Sequence, residues 1–272
     1  MKISVRGLAF DVSVSGPDGE IPALLLHGFP QNPAMWDAVI PVLHAAGRPT
    51  VAPLQRGYSP GARPSDVDSY ATGECVADVL AILDALEMPV VDVVGHDWGA
   101  IIAWHLAAAH ADRVRTLTAV SVPHPTAFGR AIAADPDQQR RSAYMNLFRQ
   151  EGKAEHVLLE DGAARLSAIF EGLPAERVER YVAPLREPGA LTATLNWYRA
   201  MSAFDAGCGP VAVPTTFVWG DADVAVGSTA ARDCGAHVEG DYRFVPLIGV
   251  SHWIADEAPG ALTEAILERI DD

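Results

Sequence analysis

One five-residue stretch, Gly95-His96-Asp97-Trp98-Gly99, constrains this chain more than any other. It follows a β-rich apolar run, Val90-Val91-Asp92-Val93-Val94, and opens a helical one, Ala100 to His110. The spacing predicts a strand, a sharp turn and a helix, with a carboxylate where the nucleophile motif G-x-S-x-G carries serine. Glycines two residues either side of Asp97 let the backbone turn with little Cβ penalty. Asp97 is thereby expected at a helix N-terminus, where free N–H groups and the helix dipole favour an anion. An ionised carboxylate held there can attack an electrophilic carbon.

The rest of the chain repeats the β-α rhythm. Ile3–Arg6 and Leu8–Val14 read as an opening hairpin, Ala23–Leu26 as a buried strand, Met35–Ala46 as a helix and Thr50–Ala52 as a strand. Glu74–Leu86 places Val76, Val79, Leu80, Leu83 and Leu86 at helical period. A strand is expected over Val114–Val122. Such alternation predicts an α/β fold, a mostly parallel central sheet flanked by helices on both faces. From about Pro125 to Phe204 the pattern turns helical and richer in Arg, with breaks at Gly152, Pro174 and Pro188-Gly189. Strands resume at Thr215–Trp219 and Tyr242–Leu247, and a helix over Ala258–Ile270 closes the chain. The division expected is a core in two parts, 1–124 and 206–272, with an all-helical lid, 125–205, inserted over the active-site end of the sheet.

Composition excludes several partners. With 20 Lys and Arg against 35 Asp and Glu, the net charge is −15, which argues against affinity for phosphate backbones and so against nucleic acid. Cys75, Cys208 and Cys234 have neither C-x-x-C spacing nor an even count, so neither a disulfide framework nor a zinc site is indicated. No 18-residue apolar run is present to span a membrane, and the first residues have no signal-peptide core. A cytoplasmic protein without a membrane partner is the expectation.

Two further motifs surround the elbow. His252, in Gly249-Val250-Ser251-His252-Trp253, follows the last strand, where ligand-handling groups gather at the carboxyl ends of a parallel sheet. Asp221 and Asp223, in Trp219-Gly220-Asp221-Ala222-Asp223, follow the preceding strand. Asp97, either acid and then His252 gives the chain order nucleophile, acid, base. His27-Gly28-Phe29-Pro30 follows the buried strand Ala23–Leu26. The N–H groups of Phe29 and Trp98 are thus candidates for an oxyanion hole. His27, His96 and His124 are expected to line or support the site without transferring protons.

With HGFP at 27–30, QRGYS at 55–59, GHDWG at 95–99, WGDAD at 219–223 and GVSHW at 249–253, the chain resembles the α/β-hydrolase superfamily over nearly its whole length. Within it, the resemblance is to the epoxide hydrolase and haloalkane dehalogenase branch that uses aspartate as nucleophile. It implies Asp223 as the triad acid; the alternative family position is closed, because Val120–Ala133 holds no acid. Asn196-Trp197-Tyr198-Arg199 and Tyr144-Met145-Asn146-Leu147-Phe148 are similar to the lid segments bearing two epoxide-activating tyrosines, which implies Tyr198 and Tyr144. One departure stands out: related chains commonly carry Asp two residues before the arginine of the RGY segment, whereas this one reads Leu54-Gln55-Arg56. The change is expected to affect loop support.

The resemblance implies a small-molecule epoxide and water as reactants, a vicinal diol as product and no metal or organic cofactor. Asp97 would form an alkyl ester that water activated by His252 hydrolyses. Substrate-binding positions are expected at His27, Pro30, Trp36, His124, Trp197 and Trp253. A haloalkane or haloacid dehalogenase with the same triad and a non-catalytic ligand-binding homologue are the alternatives. The choice between monomer and homodimer stays open.

Overall fold

The hairpin comes first, β1 (Lys2–Val5) and β2 (Leu8–Ser15), turned by Arg6 and Gly7, both at positive φ. β3 (Ala23–Leu26) is four apolar residues buried on both faces. The helix expected over Met35–Ala46 is split instead into a 3-10 turn at Pro33–Trp36 and α1 (Ile40–Ala45). Pro41 is the reason: it has no N–H to give and its ring clashes with a carbonyl one turn back, so a helix can begin there but not run through. Then follow β4 (Thr50–Pro53), α2 (Thr72–Ala85), β5 (Val91–His96), α3 (Trp98–Ala109) and β6 (Val114–Val120).

Six helices intervene before the next strand: α4 (Pro125–Ala134), α5 (Pro136–Arg141), α6 (Met145–Phe148), α7 (Lys153–Ala168), α8 (Ala175–Val182) and α9 (Ala190–Ala200). Gly152, Pro174 and Gly189 stand immediately before α7, α8 and α9, where the sequence placed its breaks. α7 is also interrupted at Glu160–Ala163, three of whose residues have positive φ. β7 (Thr215–Gly220), α10 (Ser228–Asp233), β8 (Tyr242–Leu247), α11 (Ile254–Glu257) and α12 (Pro259–Asp271) complete the chain.

The structure, a computed structural model, describes residues 1–18, 21–201 and 208–272. Phe204 and the expected boundary at 205/206 lie outside them. The described residues form one eight-stranded sheet in the order β1-β2-β4-β3-β5-β6-β7-β8. β1 and β2 are antiparallel, as are β2 and β4; every later pairing is parallel. α3 packs on β3, β5 and β6, α12 on β6 and β7, and α2 covers α3. β5 is buried along all six residues, as the middle of a covered parallel sheet requires. Parallel pairing carries the carboxyl ends of β3, β5, β6, β7 and β8 to one edge, so the loops bearing Phe29, Asp97, Ser121, Asp223 and His252 meet there. Of the inserted helices, α4 packs against α10 of the later core, while α6 meets α7 and α9.

Candidate active site

Asp97 sits between the last residue of β5 and the first of α3 with φ 53° and ψ −118°. That backbone region costs a non-glycine residue on the order of 1–3 kcal/mol. The flanking glycines do not adopt positive φ themselves; their reason is space. A Cβ on Gly95 would run into the Gly99 carbonyl, and one on Gly99 into the Leu26 carbonyl. Gly28 is in the same position against the Asp97 carboxylate, and Gly220 against the Val250 carbonyl. The turn is therefore strained at the carboxylate and clamped by backbone contact on both sides.

The HGFP loop supplies one of the two expected donors: the Phe29 N–H donates to Asp97 Oδ1 at 2.7 Å. The Trp98 N–H, first in α3, has no acceptor within its own helix. The other carboxylate oxygen, Oδ2, lies 3.7 Å from His252 Nε2. His252 Nδ1 in turn lies 2.9 Å from Asp223 Oδ2. Asp223 is wholly buried; its Oδ1 accepts the N–H groups of Ala225 and Val226 at 2.7 and 3.0 Å. Asp221 instead accepts the Gly249 N–H at 2.6 Å on the exposed side of the loop. The structure thus brings Asp97, His252 and Asp223 together and leaves Asp221 to hold the turn.

Burial alone would push the His252 imidazole down, but the charges and hydrogen bonds of Asp223 and Asp97 outweigh it and raise it to about 10. Burial works the other way on Asp223, where the His252 charge and the backbone donors win and hold the carboxyl below its ordinary range. The His252 imidazole is thus held towards its protonated form beside an Asp223 carboxylate held towards its ionised one.

Tyr144 and Tyr198 come from opposite ends of the insertion, one just before α6 and one on α9, yet their ring centroids are 6.2 Å apart. Tyr198 packs edge-on against Phe29, Trp98 and Phe148 at 5.1–5.4 Å. Arg149 Nε donates to the Tyr198 carbonyl at 3.2 Å, and the half-turn beyond is tied by Arg199 to Glu155 at 2.8 Å. Burial, with the Asp97 charge adding to it, raises both phenols well above the ordinary tyrosine range, so they keep their protons. Both line a cavity of about 750 Å³ together with Asp97 and His252. Its other walls are mostly apolar, from Phe148, Leu158, Ile169 and Val224 among others, with Arg165 and Glu171 as its charged side chains beyond Asp97 and His252.

The model of the alpha/beta hydrolase fold family matches residues 22–259. The chain belongs to the α/β-hydrolase family. It is 32% identical over 277 residues to the AB hydrolase superfamily protein YfhM of Bacillus subtilis, across 98% of this chain and 96% of that protein. It is 31% identical over 310 residues to epoxide hydrolase A of Mycobacterium tuberculosis, across 98% and 95%. The crystal structure of epoxide hydrolase A from Mycobacterium thermoresistibile superposes with a TM-score of 0.86 at 26% identity, over 100% of this chain and 97% of that one.

In this α/β-hydrolase, Pro30 and Trp253 line the cavity, but the other expected substrate-binding positions do not. His27 is buried behind the loop, its Nε2 accepting the Gln55 N–H at 3.3 Å, and burial brings its pKa down to about 4. Gln55 also donates to the His27 carbonyl at 2.5 Å, so the Leu54-Gln55-Arg56 segment supports the HGFP loop. Trp36 is fully buried in the core, Trp197 packs on Tyr58 and Trp98, and His124 caps α4 through the Thr126 N–H. Ser121 went unread in the sequence, inside a strand expected to run two residues further than it does. It has φ 66°, and its Oγ lies 3.0 Å from Asp223 Oδ2. The walls from α7 also went unread, because that helix carries no clear apolar period. Among the described residues no group of three His, Cys, Asp or Glu side chains is placed to hold a metal ion, and no helix is long and apolar enough to cross a membrane.

Proposed function

We propose that this α/β-hydrolase is an epoxide hydrolase that opens its substrate through an ester on Asp97. The observation that carries the reading is one largely apolar cavity lined by Asp97, by His252 with Asp223 buried behind it, and by two protonated phenols. Epoxide hydrolase A of Mycobacterium tuberculosis, matched over nearly its whole length, supports it. A haloalkane dehalogenase would share the triad, but the paired phenols suit an oxygen leaving group that must be protonated. The inserted helices within 125–205 serve as the cap that carries them.

The geometry assigns roles to the two carboxylate oxygens. Oδ1 is already bound to the Phe29 N–H, so Oδ2 is the oxygen that attacks an epoxide carbon. Tyr144 and Tyr198 hydrogen-bond the ring oxygen, and one of them gives it a proton as the C–O bond breaks. The resulting ester has no charge at position 97. His252 loses one of the two carboxylates that raise its pKa, and its imidazole passes its proton back to the phenol that protonated the ring oxygen and becomes a base. It then takes a proton from water as that water attacks the ester carbonyl. Oδ1 carries the oxyanion, held by the N–H groups of Phe29 and Trp98. Collapse releases the diol and restores the carboxylate. Base and nucleophile are thus never needed at once.

A cytoplasmic location belongs to the same reading: Cys75, Cys208 and Cys234 are free, and burial pushes all three thiols up to about 12. A single turnover in heavy-oxygen water tests the chemistry. The label is expected in Asp97 and absent from the first diol, whose new oxygen comes from the old carboxylate. Label found directly in that diol would mean water opens the ring itself, and Asp97 would lose its role.

A further inference from the structure

The steps above give His96 no task, although it sits beside the nucleophile. It ends β5, is fully buried, and places Nε2 2.9 Å from the main-chain oxygen of His252. A carbonyl only accepts, so Nε2 carries the hydrogen. Nδ1 is left as a bare acceptor, buried and without a hydrogen-bond partner among the described residues. Burial brings the ring's pKa down to about 4, so the neutral form makes this contact. The two imidazoles are tilted at 58° to each other, centroids 4.9 Å apart. Ser121 Oγ also reaches the His252 carbonyl, at 3.2 Å, but its one hydrogen is shared with Asp223 Oδ2 at 3.0 Å. His96 is therefore the undivided donor to that carbonyl.

We infer that His96 is a positioning residue that sets the spacing between the nucleophile and the base during ester hydrolysis. The inference rests on the Asp97 ester proposed above. His252 is held at two ends: Asp223 orients its ring, and His96 fixes its main chain. Only one peptide unit separates His96 from Asp97, so the strand that presents the ester also anchors the loop that presents the base. Attack by Asp97 on the epoxide makes no use of His252 as a base. Hydrolysis needs imidazole, water and ester carbonyl in line. Loss of the His96 contact should therefore act on the second step and spare the first.

The experiment is a single turnover of styrene oxide, read by quenching and protein mass spectrometry, with Tm measured alongside. His96→Leu is expected to form the ester within about threefold of the wild-type rate and hydrolyse it about ten- to a hundredfold more slowly, the range for a displacement of about 1 Å. His96→Gln keeps an N–H that reaches the same carbonyl and should recover most of the loss. A merely structural role would lower Tm in both variants without separating the two steps. Wild-type hydrolysis in His96→Leu, or equal slowing in Leu and Gln variants, overturns the inference. Should His96→Leu fail to fold, His96→Met takes its place, a side chain of glutamine's length without its N–H. Slower hydrolysis in His96→Met than in His96→Gln at unchanged ester formation supports a held carbonyl, and equal rates overturn it. Absence of ester even in His252→Gln would strike at the Asp97 reading itself, a result distinct from either of these.

Discussion

The core edge and the inserted helices hold their share of the site by different means. Asp97, Asp223 and His252 are fixed by backbone donors and by one another, at separations between 2.7 and 3.7 Å. The phenols of Tyr144 and Tyr198 are held by ring packing at 5.1–6.2 Å and by arginines that tie the helices beneath them. Hydrogen bonds fix angle and distance, whereas ring contacts fix volume and tolerate sliding. The edge is suited to chemistry that repeats with every substrate, and the insertion to fitting whichever one is bound. The joint between them is polar: Asp256, four residues after His252, accepts from Arg177 and Tyr181 of α8 and from Gln31 of the HGFP loop.

The contrast can be broken hardest at Asp97. Asp97→Ala should remove epoxide turnover by roughly five orders of magnitude, as for other covalent nucleophiles, with no ester detectable by mass spectrometry. Next comes His252→Gln, which should accumulate protein heavier by one substrate. Asp223→Asn should slow the same step less, because it orients the imidazole and stabilises its charge. Full activity in Asp223→Asn together with a dead Asp221→Asn would show the wrong acid was chosen. On the insertion side, Tyr144→Phe or Tyr198→Phe should cut turnover about tenfold to a thousandfold at little change in Tm, the double variant more. Halide release from a haloalkane by the wild type, with no diol from terminal, aromatic or fatty epoxides, would transfer the site to the dehalogenase reading.

Smaller effects probe the joint and the His252–Asp223 pair. Arg177→Met leaves the Asp256 carboxylate, 3% exposed, without its cation; about 2–4 kcal/mol of stability should go, seen in chemical denaturation. Activity should fall mainly through KM, since the triad is untouched. The smallest effect is in pH. His252 is raised from 6.5 to about 10 in the fold, so the stability it contributes is fully present below pH 6.5 and is lost as pH rises through about 10. The Tm gap between wild type and His252→Gln should accordingly narrow across that interval. A gap that widens would mean the imidazole is neutral at rest.

The same division governs how much could be read from the chain. β3 was legible to the residue because Ala23–Leu26 is short, apolar and bounded by turn residues. The elbow was legible because strand, glycine and helix signals coincide within fifteen residues. The reason for its glycines was not, since close approach between Gly99 and Leu26 joins positions distant in sequence. Pro41 is a visible signal for the break in the Met35–Ala46 helix, and the expected span ran through it. The insertion could be read as helical, with its breaks at Gly152, Pro174 and Gly189 and its two tyrosine segments, but its packing could not. Which faces of α6, α7 and α9 turn inward depends on how they pack together, and short helices such as α10 carry too few residues for a period to show. His27, Trp36, His124 and Trp197 lie near motifs in sequence, but nearness along a chain does not decide which way a ring points.

The glycines at the elbow have a consequence for how this protein can vary. At Gly28, Gly95, Gly99 and Gly220 even a methyl group would occupy space already filled by main chain or by the Asp97 side chain. A saturation library at these four positions should return almost nothing but the parent, whatever substrate is used for selection. Leu147, Val157, Ile169 and Val224 border open volume instead and can change size one at a time. Heritable shifts in substrate range have the cavity walls to act on, so descendants of this chain should diverge there while the elbow stays as it is.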